Sequence, residues 1–316
     1  MDLVTFGETM LRLSPPGQER LERATELEFR AAGAESNVAV AAGRLGLETT
    51  WLSKLPDSPL GRKVTATLRA QGTEPAVAWS ESGRQGVYFL EQAGEPRGTN
   101  VVYDRTDAAV TTATPADLDV SRVEAADYFF TSGITPALSA TLADTTRDLL
   151  ARARESGATT ALDVNYRSKL WDSTTARAEL ESLFPHVDVL FVARRDARRV
   201  LDREGDAPAI ARGLSEDFDF GTVVVTRGED GAVAFHGGET VEQSVFEAET
   251  HDAVGTGDAF VGGYIARRAQ GGDIVDALEW GAATAALKRT IPGDVALVTP
   301  AEVDAVLDGN TADIDR

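Results

Sequence analysis

Cysteine is absent from the 316-residue chain, which excludes disulfides, thiolate catalysis and zinc sites built on cysteine. There are only three histidines, and their scattered positions, 186, 236 and 251, do not have the spacing of metal ligands. No apolar run approaches about 18 residues, so we expect no membrane-spanning helix. The amino terminus has an acidic second residue and no basic stretch before its apolar run. It therefore predicts no secretory signal and a cytoplasmic protein.

Basic residues are scarce beside acidic ones. The chain has 31 Lys and Arg against 51 Asp and Glu, a formal net charge of −20. A surface this acidic repels nucleic-acid phosphates, which argues against DNA or RNA binding. The acidic excess is spread along the chain instead of lying in a tail, which favours a halophile, whose salt screens the self-repulsion. An ordinary acidic soluble protein is the alternative.

Short apolar runs alternate with helical patterns along the chain. Apolar residues at helical spacing lie, for example, between Val38 and Leu45. Runs that are apolar on both faces, typical of parallel strands covered by helices on each side, occur at 3–6, 128–130, 161–164, 187–192 and 222–226. No repeat or linker divides the chain. We therefore predict a single α/β domain over 1–316, with a doubly wound, mainly parallel sheet.

Two segments break this alternation. Gln85–Glu91 and Thr99–Arg105 are predicted to be the strands of a hairpin, and Arg12–Arg30 lacks a convincing helix. We predict that pieces from about 9–31 and 85–105 form a small β lid over one edge of the main sheet. A plain surface excursion is the alternative.

Polar segments follow the predicted strands. Ligands of open α/β sheets bind beyond the carboxyl ends of the strands, so these segments are the site candidates. They are 132–135, 163–167, 194–196, 226–228 and 251–258. We expect them to converge on one crevice.

The most informative of these segments is Gly255-Thr256-Gly257-Asp258, which opens an apolar helix predicted at 259–269. Glycines let the backbone approach a ligand, and a helix start presents unpaired N–H groups that suit a phosphoryl anion. A carboxylate at the same turn can take the proton of an attacking hydroxyl. From this motif alone, a helix N-cap is the alternative role of Asp258. The chain has no P-loop motif and lacks the third glycine of a dinucleotide-binding turn.

Two segments at the right separation resemble the signatures of one family. Asp252 to Phe260 resembles the carboxyl-terminal signature, D-T-x-G-A-G-D, of the ribokinase-like (PfkB) kinases, and Ala32 to Ala39 resembles their amino-terminal one. The resemblance covers nearly the whole chain. It implies transfer of phosphate from ATP with Mg²⁺, Asp258 as catalytic base, and an anion hole at Gly255, Thr256 and Gly257. It also implies nucleotide contacts from Asn165, Thr226, Gly228, Gly231, Gly255, Gly257 and Ala285.

Within this family the chain is most similar to the 2-keto-3-deoxygluconate kinases, notably at Gly7-Glu8, Tyr103-x-Arg105 and Asp163–Arg167. The resemblance implies phosphorylation of the terminal hydroxyl of 2-keto-3-deoxygluconate, or of its galactonate epimer, in a modified Entner–Doudoroff pathway. Substrate contacts are then expected from Gly33, Ala34, Asn37, Tyr88, Tyr103, Arg105, Arg167 and Asp258.

Arg105 and Arg167 are the candidates to hold the substrate carboxylate, since a guanidinium can bind it through two parallel bonds. A salt bridge is the alternative for each, and it weighs more for Arg105, which lies on the predicted lid. Tyr88 and Tyr103 either contact the sugar through their hydroxyl groups or serve only in packing.

Some positions depart from the family pattern. The N-x-x-E element near phosphate and magnesium is Ala193-Arg194-Arg195-Asp196 here. Asp196 keeps the carboxylate that orders metal-bound water, so it is the predicted metal residue, whereas Arg194 and Arg195 either contact phosphate or form a solvated helix face. Ala253 replaces the usual threonine, which weakens the case for a monovalent cation beside Asp252.

Two other functional classes stay open. One is a fructokinase or another sugar or nucleoside kinase of the same fold, against which Arg105 and Arg167 argue. The other is a non-catalytic sugar-acid sensor, against which Asp258 and its glycine turn argue. The exposed strand edge of the lid predicts a homo-oligomer formed through the lid.

Overall fold

The computed structural model describes residues 1–93 and 96–309. The strands are β1 (Leu3–Phe6), β2 (Met10–Ser14), β3 (Glu28–Ala32), β4 (Thr49–Pro56), β5 (Glu74–Ser80), β6 (Val87–Glu91), β7 (Asn100–Asp104), β8 (Tyr128–Ser132), β9 (Thr159–Asp163), β10 (Val189–Ala193), β11 (Thr222–Thr226), β12 (Ala232–His236) and β13 (Glu239–Gln243). The helices are α1 (Ala34–Arg44), α2 (Pro59–Ala70), α3 (Val120–Glu124), α4 (Ala140–Glu155), α5 (Ser173–Leu183), α6 (Arg194–Arg199), α7 (Ala207–Phe218), α8 (Thr256–Ala269), α9 (Ile274–Arg289) and α10 (Pro300–Leu307).

Nine strands form the main sheet, in the order β13-β12-β11-β10-β9-β8-β1-β4-β5. Pairing is parallel from β5 to β11, and β12 and β13 continue the sheet as antiparallel strands. The side chains of alternate residues in the central strands pack on opposite faces of the sheet, each face against its own layer of helices. Phe129 of β8 packs with Leu149 of α4, whereas its neighbour Phe130 packs with Tyr264 of α8. Burying each Phe contributes about 1.5–3 kcal/mol, so helices are held on both faces and the doubly wound fold is confirmed.

Several strands were not identified in the sequence: β4, β5, β12 and β13. The edge strands β5 and β13 have half-exposed and exposed positions, so they do not form the unbroken apolar runs that mark central strands. β12 has an apolar run, Ala232–Phe235, of only four residues after a glycine turn. Conversely, the prediction that 251–258 follows a strand is wrong: His251–Val254 and the residues just before it form a loop that reaches the site.

A second sheet of four strands has the order β3-β2-β6-β7. β6 and β7 lie within the two segments predicted as a hairpin, and β2 and β3 overlap the two ends of the stretch 12–30 that lacks a convincing helix. Tyr88 and Leu90 of β6 are buried on the face towards the main sheet, whereas Phe89 is half-buried on the opposite face. Over the described ranges, no helix is long and apolar enough to cross a membrane.

Candidate active site

A cavity of about 500 Å³ lies between the carboxyl ends of β8 to β11, the first turns of α1 and α8, and the small sheet. The predicted site residues on its wall are Gly33, Ala34, Asn37, Tyr88, Tyr103, Arg105, Asn165, Arg167, Asp196, Thr226, Gly255, Thr256, Gly257 and Asp258. Residues without a predicted role also line it, among them Glu8, Glu35, Asp163 and Asp294. The polar segments after the strands therefore do meet in one crevice.

Three residues predicted to bind nucleotide do not line this cavity. Gly228 and Gly231 lie in the turn after β11, with positive φ angles of 65° and 86°. Ala285 packs against the core on the α1 and α8 side of the sheet. A neighbouring hollow of about 600 Å³, lined by Glu229, residues 245–249 and Arg289, lies close to this turn.

The turn before α8 depends on a glycine. Gly255 has φ +79°, and a Cβ atom there would lie 1.9 Å from the carbonyl oxygen of Asp294. Gly255 is also the N-cap residue of α8 and the helix begins at Thr256, so Asp258 lies inside the first turn. The alternative role of Asp258 as an N-cap is therefore wrong, and its carboxylate is directed to other partners.

Asp258 is held by an amide from the other end of the chain. Its Oδ2 accepts a hydrogen bond from Asn37 Nδ2 at 2.7 Å. Burial raises the pKa of Asp258 to about 6, and the hydrogen bond from Asn37 and the charge of Arg167 oppose this rise. A carboxylate with this pKa is mostly ionised at pH 7 and is more basic than an exposed aspartate, as a general base requires.

Further carboxyl groups surround Asp258. At the end of β9, burial and the charge of Asp258 raise the pKa of Asp163 to about 7. Burial also raises the pKa of Asp196, whose Oδ1 lies 3.3 Å from Arg195 Nε. Two residues after the end of β9, Asn165 adopts φ +38°, a conformation that Asn tolerates. Its backbone N–H donates to Asp163 Oδ1 at 3.1 Å.

Arg167 faces these carboxyl groups without forming an ion pair. Its positive charge opposes the rise in pKa of Asp163, Asp196 and Asp258. Among the described residues, no acidic oxygen lies within 4.0 Å of its guanidinium, and it donates only to the Tyr166 carbonyl oxygen at 3.3 Å. The surface salt bridge considered for Arg167 is thus not what the structure has.

Arg105 differs from Arg167 because it already has an acidic partner. Its Nη2 lies 2.6 Å from Glu8 Oε2, and both side chains are largely buried beside the cavity. Burial raises the pKa of Glu8, whereas Arg105 lowers it. The sequence placed Glu8 in a family motif but did not predict this pair, which leaves Arg105 partly neutralised.

Glu35 connects α1 to the end of β8. Its Oε1 accepts hydrogen bonds from Ser132 Oγ at 2.7 Å and from Thr135 Oγ1 at 2.8 Å. Burial raises its pKa to about 7, with these hydrogen bonds opposing the rise. Glu35 thereby fixes the first turn of α1, which carries Asn37.

A family model describing pfkB family carbohydrate kinases matches residues 1–301. The chain belongs to this family. It is therefore a phosphotransferase that uses ATP and an alcohol acceptor.

Two relatives show where this kinase lies within the family. It is 64% identical over 315 residues to the 2-dehydro-3-deoxygalactonokinase of Haloferax volcanii, covering 100% of this chain and 99% of the relative. It is 28% identical over 312 residues to the 2-dehydro-3-deoxygluconokinase of Thermoproteus tenax, covering 97% and 94%. Haloferax volcanii is a halophilic archaeon, in keeping with the halophile that the acidic composition predicts.

Solved structures have the same fold. The kinase superposes on the crystal structure of 2-dehydro-3-deoxygluconokinase from Thermotoga maritima with a TM-score of 0.91 and 34% identity, covering 98% of both chains. A putative ribokinase II from E. coli, in complex with ATP and Mg²⁺, has a TM-score of 0.88 at 20% identity, covering 98% and 99%, and shows the fold alone.

The site of this kinase has groups that fit Mg²⁺. Magnesium is usually held by one or two carboxylates, phosphate oxygens and water. Asp196 supplies a buried carboxylate on the cavity wall, and Asp163 supplies a second one. Over the described ranges, no three acidic or histidine side chains converge in a group that could hold a metal ion.

Proposed function

We propose that this kinase phosphorylates the terminal hydroxyl of 2-keto-3-deoxygluconate and of 2-keto-3-deoxygalactonate, giving the 6-phospho products of a modified Entner–Doudoroff pathway. The observation that carries the choice of a sugar acid is Arg167, a guanidinium on the cavity wall without an acidic partner among the described residues. In a cavity otherwise rich in carboxyl groups, one such cation favours a substrate that brings its own carboxylate. The relatives named for these two sugar acids support the same choice.

Asp258 is the proposed base. It takes the proton of the terminal hydroxyl while that oxygen attacks the γ-phosphorus of ATP, and the bond from phosphorus to the β,γ-bridging oxygen breaks. The backbone N–H groups from Gly255 to Asp258 stabilise the charge on the transferring group. Asn37 orients Asp258 through its amide nitrogen, and the Oδ1 atom of Asn37 is buried and has no hydrogen-bond partner in the described part of the chain.

ATP is proposed to lie across the carboxyl edge of the sheet. Its phosphates lie near Thr226, Asn165 and the Gly255–Asp258 turn. The adenine ring of ATP extends past Gly228 into the hollow beside Glu229 and Arg289. Asp196 would hold Mg²⁺ through its carboxylate, and the bound ion would neutralise phosphate charge. A reaction that needs ATP is also consistent with a cytoplasmic location.

We further propose that the small sheet closes over the sugar as a lid and joins two copies of the chain. Support for the second role comes from its outer face, where Phe29, Leu13, Phe89 and Val102 lie side by side across the four strands. Phe29 and Val102 are 39% and 49% exposed. A second copy would cover this apolar row, which is conspicuous on so acidic a protein.

A monovalent cation beside Asp252 would need oxygen ligands there. The Asp252 carbonyl oxygen already accepts a hydrogen bond from Lys288 Nζ at 3.1 Å. We therefore propose that a side-chain ammonium group takes the place of a free cation.

A coupled ATP assay with 2-keto-3-deoxygalactonate, 2-keto-3-deoxygluconate and fructose tests the substrate class. Fructose lacks the carboxylate, and a charge-assisted hydrogen bond is worth about 1.5–3 kcal/mol. The kcat/KM for a sugar acid should therefore be about tenfold or more above the kcat/KM for fructose. Arg167→Ala should erase most of this preference and leave ATP affinity nearly unchanged. Arg198→Ala, which removes an exposed cation of α6, is the control. Equal loss with all three substrates would contradict a carboxylate role for Arg167, and no turnover of sugar acids by the wild type would contradict the proposed function.

A further inference from the structure

Four charged side chains are buried together behind the catalytic turn: Arg12, Asp252, Lys288 and Asp294. Lys288 is 0% exposed, and the other three are 4–5% exposed. An isolated buried charge is strongly unfavourable, so such groups persist only where they are paired and hydrogen-bonded. Here two cations balance two carboxylates. Lys288 does not line the catalytic cavity.

The ammonium group of Lys288 connects two loops. Its Nζ donates to the carbonyl oxygens of Asp252 and Ile291, each at 3.1 Å. Asp252 lies in the loop between β13 and α8, three residues before Gly255, and Ile291 lies in the loop between α9 and α10, which also contains Asp294. The Asp252 carboxylate ties the same loops together, since it accepts the N–H groups of Val254 at 3.0 Å and Gly293 at 2.9 Å.

The position of the catalytic turn depends on this connection. The Asp294 carbonyl oxygen lies 1.9 Å from where a Cβ of Gly255 would be, so the second loop packs directly against the turn. A shift of either loop would therefore move the N–H groups at the start of α8 and the carboxylate of Asp258. Misplacement of reacting groups by about 1 Å can cost about 10²-fold in rate.

The small sheet is anchored to the same carboxylates. Arg12 of β2 has Nη1 2.8 Å from Asp294 Oδ2 and Nη2 3.6 Å from Asp252 Oδ2. Tyr88 of β6 donates to Asp294 Oδ1 at 3.0 Å. If the charge of Lys288 were removed, Arg12 alone would face two buried carboxylates. The space left would then be oxygen-lined, with an excess negative charge.

We propose that Lys288 is a positioning residue for phosphoryl transfer: its ammonium group is a tethered monovalent cation that fixes the 252–255 and 291–294 loops around the anion-binding turn. This rests on the proposed kinase reaction but not on the identity of the sugar acid. Because the cation is covalently attached, the turn keeps its shape whichever monovalent ion the solution contains.

Lys288→Ala tests this idea, with Lys63→Ala, an exposed lysine of α2, as the control that loses the same charge. Assays at one ionic strength compare potassium, methylammonium and choline chlorides, using whichever sugar acid the wild type turns over fastest. Choline is too large for the space left by the side chain. In choline chloride, kcat of Lys288→Ala should fall by about 10²-fold, and potassium or methylammonium should restore much of it. The wild type and Lys63→Ala should show no such selectivity among the three salts.

Thermal unfolding gives a readout independent of activity. A cation that binds only the folded variant raises its unfolding midpoint, so potassium or methylammonium should stabilise Lys288→Ala more than choline does, beyond any difference seen in Lys63→Ala. Full activity of Lys288→Ala in choline chloride would overturn the proposal, as would a folded but slow variant that no small cation rescues. If Lys288→Ala does not fold, Lys288→Met, which keeps the volume, replaces it: a slow variant supports the proposal, and full activity overturns it. A wrong reaction assignment would appear separately, as an inactive wild type.

Discussion

The hydrogen bond from Asn37 to Asp258 should set the pH at which the kinase loses activity. Burial raises the pKa of Asp258 to about 6, and the bond from Asn37 at 2.7 Å is the largest effect that opposes this rise. In Asn37→Ala the carboxylate loses that donor, so its pKa should rise further. A hydrogen bond to a charged group is worth about 1.5–3 kcal/mol, which corresponds to about 1–2 pKa units.

The consequence for rate follows from the ionised fraction of the base. With a pKa of about 6, about nine-tenths of Asp258 is ionised at pH 7. After a rise of one to two units, between about one-half and one-tenth is ionised. Proton uptake by Asp258 removes the base, so activity falls as pH drops through its pKa. At pH 7, kcat/KM should therefore fall by about 2- to 10-fold from this cause alone, and the deficit should shrink towards pH 9.

The assay is kcat/KM against pH at constant ionic strength, because this quantity reports groups of the free enzyme. Loss of a direct substrate contact at Asn37 would lower the whole profile by a constant factor, whereas the predicted effect moves the midpoint of its acid limb upwards. Asp163, with a pKa of about 7, titrates in the same range but is present in both proteins. Asp258→Asn is the control and should lose about 10²–10⁴-fold in turnover at pH values above the pKa of Asp258, with ATP affinity kept. An unchanged midpoint in Asn37→Ala would refute the reasoning, and near-normal turnover of Asp258→Asn would remove Asp258 from the mechanism.

Two further expectations concern the whole molecule. With a net charge of −20, the unfolding midpoint and the activity should both rise from dilute buffer to molar potassium chloride, where the Debye length is about 3 Å. Thermal unfolding measured by circular dichroism tests this expectation, and full stability in dilute buffer would indicate an ordinary acidic protein. Val102→Asp on the outer face of the small sheet should reduce the oligomer mass measured by light scattering, with Val275→Asp, another exposed valine, as control; an unchanged mass would contradict association through this face.

Local patterns in the sequence were sufficient for the class of the fold, although not for four of the nine strands of the main sheet. Runs such as Val189–Val192 are apolar on both faces because helices cover both sides of the sheet. The unbroken series of apolar residues is therefore visible in the sequence itself. The glycine turn before α8 is equally local, since Gly255 must adopt a positive φ angle. Both features depend on neighbours in the chain, which is why they were recognisable without the structure.

The electrostatic partnerships were decided by the tertiary structure. Asn37 and Asp258 are 221 residues apart, and no local pattern predicts that one would hold the other. Arg105 and Arg167 were both candidates for the substrate carboxylate, yet only the structure shows that Arg105 pairs with Glu8, whereas Arg167 has no acidic partner in the described part of the chain. No local pattern distinguishes Lys288 from the other lysines of the chain. Only the folded structure shows that it is buried and that its ammonium group donates to the carbonyl oxygens of Asp252 and Ile291. Charge interactions act through space and depend on burial, so they become defined only when the strands and loops are brought together.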